Sequence, residues 1–178
     1  MANPVDLTRR ELIQLGAVAA SVAAVGTERG LAAGTAPKVF SKEQFAMLDE
    51  LTELIIPADD HSPGARAAEV AAYLDGRLAE SIDDAERTEW RDGLKRIDAL
   101  ALDMHGVPFM QATPDQRIAV LSRIAPNERN PQTPDERFFV QLKFSTADAY
   151  YSSKIGIHQE MEYKGNVLLT EFVGYELK

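Results

Sequence analysis

The sequence predicts an all-α fold, a single helical domain of about five helices followed by an irregular carboxyl-terminal tail dotted with aromatics. Three observations lead there. A Ser, Thr or Asp followed three residues on by an acidic or amide side chain recurs along the chain, the pattern that caps a helix start. Apolar residues after each such start return at spacings of three and four. No pair of alternating apolar and polar segments reads as a strand hairpin.

The first helix opens at Ser41-Lys42-Glu43-Gln44, carries Phe45, Leu48, Leu51, Leu54 and Ile55 on one face, and stops before Pro57. The second is expected from Ser62, with Pro63 at the first helical position and Val70, Leu74 and Leu78 at helical spacing. Asp83 with Glu86 opens the third over Trp90, Leu94, Ile97, Ala101 and Met104, and Gly106 is its left-handed stop. Thr113-Pro114-Asp115-Gln116 opens the fourth over Ile118, Leu121 and Ile124, ended by Pro126. Asn127, Asn130 and Pro131 make a loop up to Thr133-Pro134-Asp135-Glu136, which starts a fifth helix with Phe138, Phe139 and Leu142 and continues to Tyr150 and Tyr151. Short connections favour neighbouring antiparallel helices in one bundle. Beyond Tyr151 the periodicity is lost while Tyr163, Phe172, Val173 and Tyr175 remain, so the tail should wrap its own domain or lie on another protein.

Composition limits the chemistry. The chain has 178 residues, 45% hydrophobic and 26% charged, which suits one soluble globular domain. It has no cysteine, which excludes a c-type haem attachment, cysteine-held iron–sulfur clusters and a thiol nucleophile. The net charge of −9 repels phosphate backbones, so nucleic acid is not an expected partner.

Residues 1–33 read as an address. Arg9 and Arg10 precede an uncharged, Ala-rich stretch from Leu12 to Gly26, the order of charge and apolar run found in export signals. The stretch is shorter than the roughly 20 apolar residues of a membrane span. Paired arginines ahead of so mild a segment mark a twin-arginine signal, a route that moves folded proteins, and assign targeting to Arg9 and Arg10. Small residues offer cleavage after Ala32 or Ala33, while Pro37 argues against cleavage after Ala36. The expected products are a signal peptide of residues 1–33 and a helical domain of residues 34–178, periplasmic, meeting a membrane only through the signal or a partner. Removing the signal takes away as many acidic as basic residues, so the acidity belongs to the folded part.

The remaining motifs offer little catalysis. The chain has three histidines, His61, His105 and His158, none paired with a carboxylate at helical metal-site spacing. Asp59, Asp60 and His61 form the densest polar trio and could donate metal ligands or an acid–base pair from a loop, but Asp60 and Ser62 also stand where a helix start needs caps. A haem held without covalent bonds between His105 and His158 is a weaker alternative. No nucleotide-binding glycine loop and no nucleophile elbow occurs.

Taken together, LDELTELIIPADDHSPGARAAEVAAYLDGRL from Leu48 to Leu78 and YYSSKIGIHQEMEYKGN from Tyr150 to Asn166 resemble the gluconate 2-dehydrogenase subunit 3 family. The matching features are a helix running into Ile55-Ile56-Pro57, an acidic loop, Pro63-Gly64-Ala65, and the late Tyr150-Tyr151-Ser152 followed by Gly156 and Tyr163-Lys164-Gly165-Asn166. The resemblance implies a noncatalytic small subunit that supports a large flavin subunit of the glucose–methanol–choline type and supplies the export signal for both. No cofactor is expected in this chain. FAD would lie in the large subunit, which oxidises a sugar or polyol hydroxyl, and haem c in a third, cytochrome c subunit. No catalytic or metal-binding residues carry over from the family. Tyr150, Tyr151, Tyr163, Phe172 and Tyr175 are the candidate partner contacts. An independent periplasmic enzyme working through Asp59, Asp60 and His61 is the alternative.

Overall fold

A computed structural model describes residues 36–166, which carry five α-helices: α1 (Lys42–Ile55), α2 (Val70–Glu80), α3 (Asp84–His105), α4 (Pro114–Ile124) and α5 (Pro134–Ser152). A 3-10 turn at Phe109–Gln111 and a π-helical turn at Gly156–Glu160 complete them, and there is no strand among the described residues. The all-α expectation holds.

Three helices start through reciprocal capping. The Ser41 hydroxyl accepts from the Gln44 amide at 3.2 Å while the Gln44 side chain accepts from the Ser41 amide at 3.1 Å. Thr113 pairs with Gln116, and Thr133 with Glu136, in the same way. Each pair satisfies two backbone donors that the first helical turn would otherwise leave open. At α3, Asp83 caps the Ala85 amide at 2.8 Å, but Glu86 accepts instead from the Ser81 hydroxyl at 2.7 Å. Gly106 ends α3 at φ 73, in the left-handed region.

The second helix departs from expectation. It begins at Val70, not at Pro63. Residues 65–68 make one turn that is closed immediately, because the Val70 amide bonds the Ala65 carbonyl at 3.1 Å and the Glu69 amide bonds the Arg66 carbonyl at 3.0 Å. Glu69 sits at φ 54, so the turn ends in the left-handed closure usual at a helix carboxyl end, and α2 starts afresh behind it.

Helix α5 is the hub, packing against α1, α2, α3 and α4. Its inner face buries Phe138, Phe139, Leu142, Ala149 and Tyr150 against Leu48, Leu51, Leu74, Leu94, Ile97 and Val120. Phe138 meets Trp90 of α3 edge to face at 5.6 Å between ring centroids. The two fully buried threonines satisfy themselves locally, Thr146 donating to the Leu142 carbonyl and Thr52 to the Asp49 carbonyl. Ile118, expected on the buried face of α4, is 52% exposed. At 100° per residue it falls about 110° from the centre of the face formed by Val120, Leu121 and Ile124.

Gly93 faces Phe138 so closely that a Cβ would overlap the ring. Gly93→Ala is expected to cost about 1–3 kcal/mol through overpacking, lowering the thermal midpoint by several degrees. An unchanged midpoint in calorimetry would contradict this packing.

Candidate functional site

The loop between α1 and α2 holds the polar trio, and its geometry is set from three sides. Glu53 reaches out of α1, its carboxylate accepting from the Ala58 amide at 3.3 Å and the Arg66 amide at 2.8 Å. Gly64 lies against that carboxylate, and a Cβ there would stand 2.5 Å from both the Ala58 nitrogen and a Glu53 oxygen. This close approach is why a glycine follows Pro63. From α5, the Tyr150 hydroxyl donates to the Pro63 carbonyl at 2.7 Å and lies 2.5 Å from the Ser62 hydroxyl, which can donate to it. Arg66 then bridges back to Asp49 at 2.5 Å and Glu50 at 2.7 Å, and Glu50 also takes Arg117 of α4 at 2.7 Å. Against the burial of Glu50, these two guanidinium groups hold its carboxyl below the usual range.

Within the loop, Asp59 Oδ1 accepts from the Ser62 amide at 2.8 Å and the His61 amide at 2.9 Å. Those backbone donors, Ser62 first, depress the Asp59 carboxyl. The His61 ring turns away, with Nε2 3.0 Å from the Glu160 carbonyl, tying the loop to the π-helical turn. That carbonyl, followed by the negative charges of Glu160, Glu162 and Asp59, raises the His61 pKa above its ordinary value. Asp60 is exposed. Asp59 and His61 thus engage different partners and share no common focus. Among the described residues no three His, Cys, Asp or Glu side chains come together as a metal site. His105 is the last residue of α3, and His158 is exposed on the π-helical turn.

The aromatic residues separate sharply. Tyr150, expected at a partner surface, is 1% exposed, with its ring in the core and its hydroxyl bonded to the loop, so it is not available to a partner. Its neighbour Tyr151 is 44% exposed, and Tyr163 is also exposed, its hydroxyl donating to Asn166 Oδ1 at 2.5 Å. Phe172 and Tyr175 lie outside the described residues, as do Arg9 and Arg10. Sequence reasoning missed Phe144, which is 72% exposed one heptad before Tyr151. With half-buried Val140 and Ala147 it completes a stripe spaced four, three and four along α5, opposite the core face. That spacing was the available signal. No helix of the described residues is long and apolar enough to cross a membrane.

Fold and surface together define a small all-α domain whose central helix is apolar on two opposite sides. Residues 42–167, more than two-thirds of the chain, match the family model described as gluconate 2-dehydrogenase subunit 3, and the chain belongs to that family. No curated protein and no solved structure matches it.

Two outcomes follow for the loop. Tyr150→Phe should cost about 1–3 kcal/mol, since the Ser62 hydroxyl and Pro63 carbonyl lose a buried partner, and urea unfolding of the variant would read it. Because the folded His61 pKa is raised, its contribution to stability is present below the unfolded pKa and is lost as pH rises through the folded value. An imidazole NMR titration should therefore place the His61 midpoint above that of the urea-unfolded chain, and a midpoint at or below it would remove the tie to Glu160.

Proposed function

We propose that this chain is the noncatalytic small subunit of a periplasmic FAD-dependent sugar or polyol dehydrogenase, supporting maturation, stability and twin-arginine co-export of a flavin-bearing large subunit of the glucose–methanol–choline type. The observation that carries this reading is membership of the subunit 3 family, matched over residues 42–167. The bare stripe on α5 supports it. A helix that buries one face in its own domain and leaves Phe144 and Tyr151 open on the other has the composition of a surface meant to be covered. In this reading FAD and the oxidised hydroxyl belong to the large subunit, and electrons leave through a cytochrome c subunit or another acceptor. The chain contributes Arg9 and Arg10 for export and an aromatic surface for association, with Tyr151, Tyr163, Phe172 and Tyr175 as contacts and Phe144 added to them.

Co-expression with the flavoprotein subunit, pulling on a tag on this chain, should yield a yellow complex with dye-linked sugar oxidation, while the lone chain is colourless and inactive. Oxidation by the lone chain would overturn the reading. The double variant Phe144→Asp with Tyr151→Ala should lower co-purified flavin at least tenfold with helicity unchanged, as expected where exposed aromatics anchor an interface. Full recovery of flavin with that variant would take α5 out of the interface.

A further inference from the structure

Before α1, the chain at Lys38–Phe40 is held by a buried carboxylate. Asp75 of α2, 4% exposed, accepts three consecutive backbone amides: Lys38 at 2.7 Å, Val39 at 2.9 Å and Phe40 at 3.2 Å. Successive amides converging on an anion form a nest, and here the anion is supplied by the protein itself. Arg91 of α3 closes the other side, donating to the Val39 carbonyl through Nε at 3.2 Å and Nη2 at 2.8 Å. The Val39 and Phe40 side chains are buried in the core. Residues from two helices are needed, so the clamp exists only when α2 and α3 have packed.

We propose that this clamp sets the mature amino terminus by limiting how far proteolytic processing can proceed. A peptidase needs several residues on either side of the scissile bond in an extended, accessible form, and clamped backbone cannot supply them. Cleavage is hydrolysis: water adds across the peptide bond, leaving a carboxylate on the signal and a new amine on the domain. Between the Ala32–Ala33 bond and Lys38 stand five residues, Ala33, Gly34, Thr35, Ala36 and Pro37, which can reach at most about 17 Å. From the Ala36–Pro37 bond only Pro37 intervenes. The clamp therefore leaves the upstream bonds after Ala32 or Ala33 for processing and protects Lys38–Phe40. The biological role rests on the export reading above, whereas protection by the clamp does not.

The test has two arms. In the first, the purified full-length chain is treated with proteinase K and its fragments are weighed by mass spectrometry. The wild type should give a stable fragment beginning before Lys38. Asp75→Ala and, should that variant fold poorly, Arg91→Ala with helicity checked by circular dichroism, should be cut within Lys38–Phe40 at least tenfold faster. Equal cutting there in wild type and in a folded Arg91→Ala variant overturns the clamp. In the second arm, the chain is produced in an exporting cell and its terminus is read by mass. A terminus at Ala33 or Gly34 is expected, and one at or beyond Lys38 overturns the proposal. Deleting Thr35–Pro37 should reduce processing at least tenfold, and adding Arg91→Ala should restore it; undiminished processing after the deletion also overturns it. An unshortened chain left unprocessed in the cell counts against the export reading, while the proteinase K arm still decides the clamp.

Discussion

At the carboxyl end of α5 the Tyr150 hydroxyl bonds the Pro63 carbonyl, joining residues 87 apart in sequence. The connection between α1 and α2 depends on it, because Ser62 and Pro63 are drawn inward to meet the phenol and the chain cannot run directly into a helix there. Beyond Pro63 come the single turn closed at Glu69 and the start of α2 at Val70. The same end of α5 fixes where the tail begins. Gly156 packs against the Tyr150 carbonyl with no room for a Cβ, which folds the π-helical turn back so that the Glu160 carbonyl reaches His61. Tyr150 thus holds the loop through its hydroxyl and seats the start of the tail against its backbone carbonyl.

The hub also explains the character of the outside. Each of the other four α-helices among the described residues packs against α5. The stripe through Phe144 and Tyr151 stays bare, since no element among the described residues lies over it. A domain arranged this way is complete as a core and incomplete as a surface, which suits a subunit. The polar trio belongs to the opposite logic: Asp59 and His61 use their polar atoms to shape a loop.

Local chemistry was legible and distant chemistry was not. The caps at Ser41, Thr113 and Thr133 were readable because both partners of each pair lie within four residues. Ser62 looked like another cap, but its hydroxyl meets Tyr150 from 88 residues away. Asp75 carried no signal at all, since a carboxylate on the buried face of α2 makes sense only with the amides of Lys38–Phe40 in place. Tyr150 and Tyr151 are alike by composition, and one residue of helical phase sends the first inward and the second out. The family resemblance rests on Ile55-Ile56-Pro57, the acidic loop, Tyr150-Tyr151-Ser152 and Tyr163-Lys164-Gly165-Asn166 together with the turn residues Pro63, Gly64 and Gly156. The last two stand where a Cβ would collide with neighbouring atoms.

The central claim is that the outer face of α5 is covered by a flavin-bearing partner. Carbene footprinting with mass spectrometry, comparing the free chain with the co-purified complex, tests it most directly. Phe144 and Tyr151 should lose most of their labelling in the complex, while fully exposed Ile82, in the connection between α2 and α3, keeps its own. Undiminished labelling of Phe144 in an intact, flavin-containing complex would contradict the account.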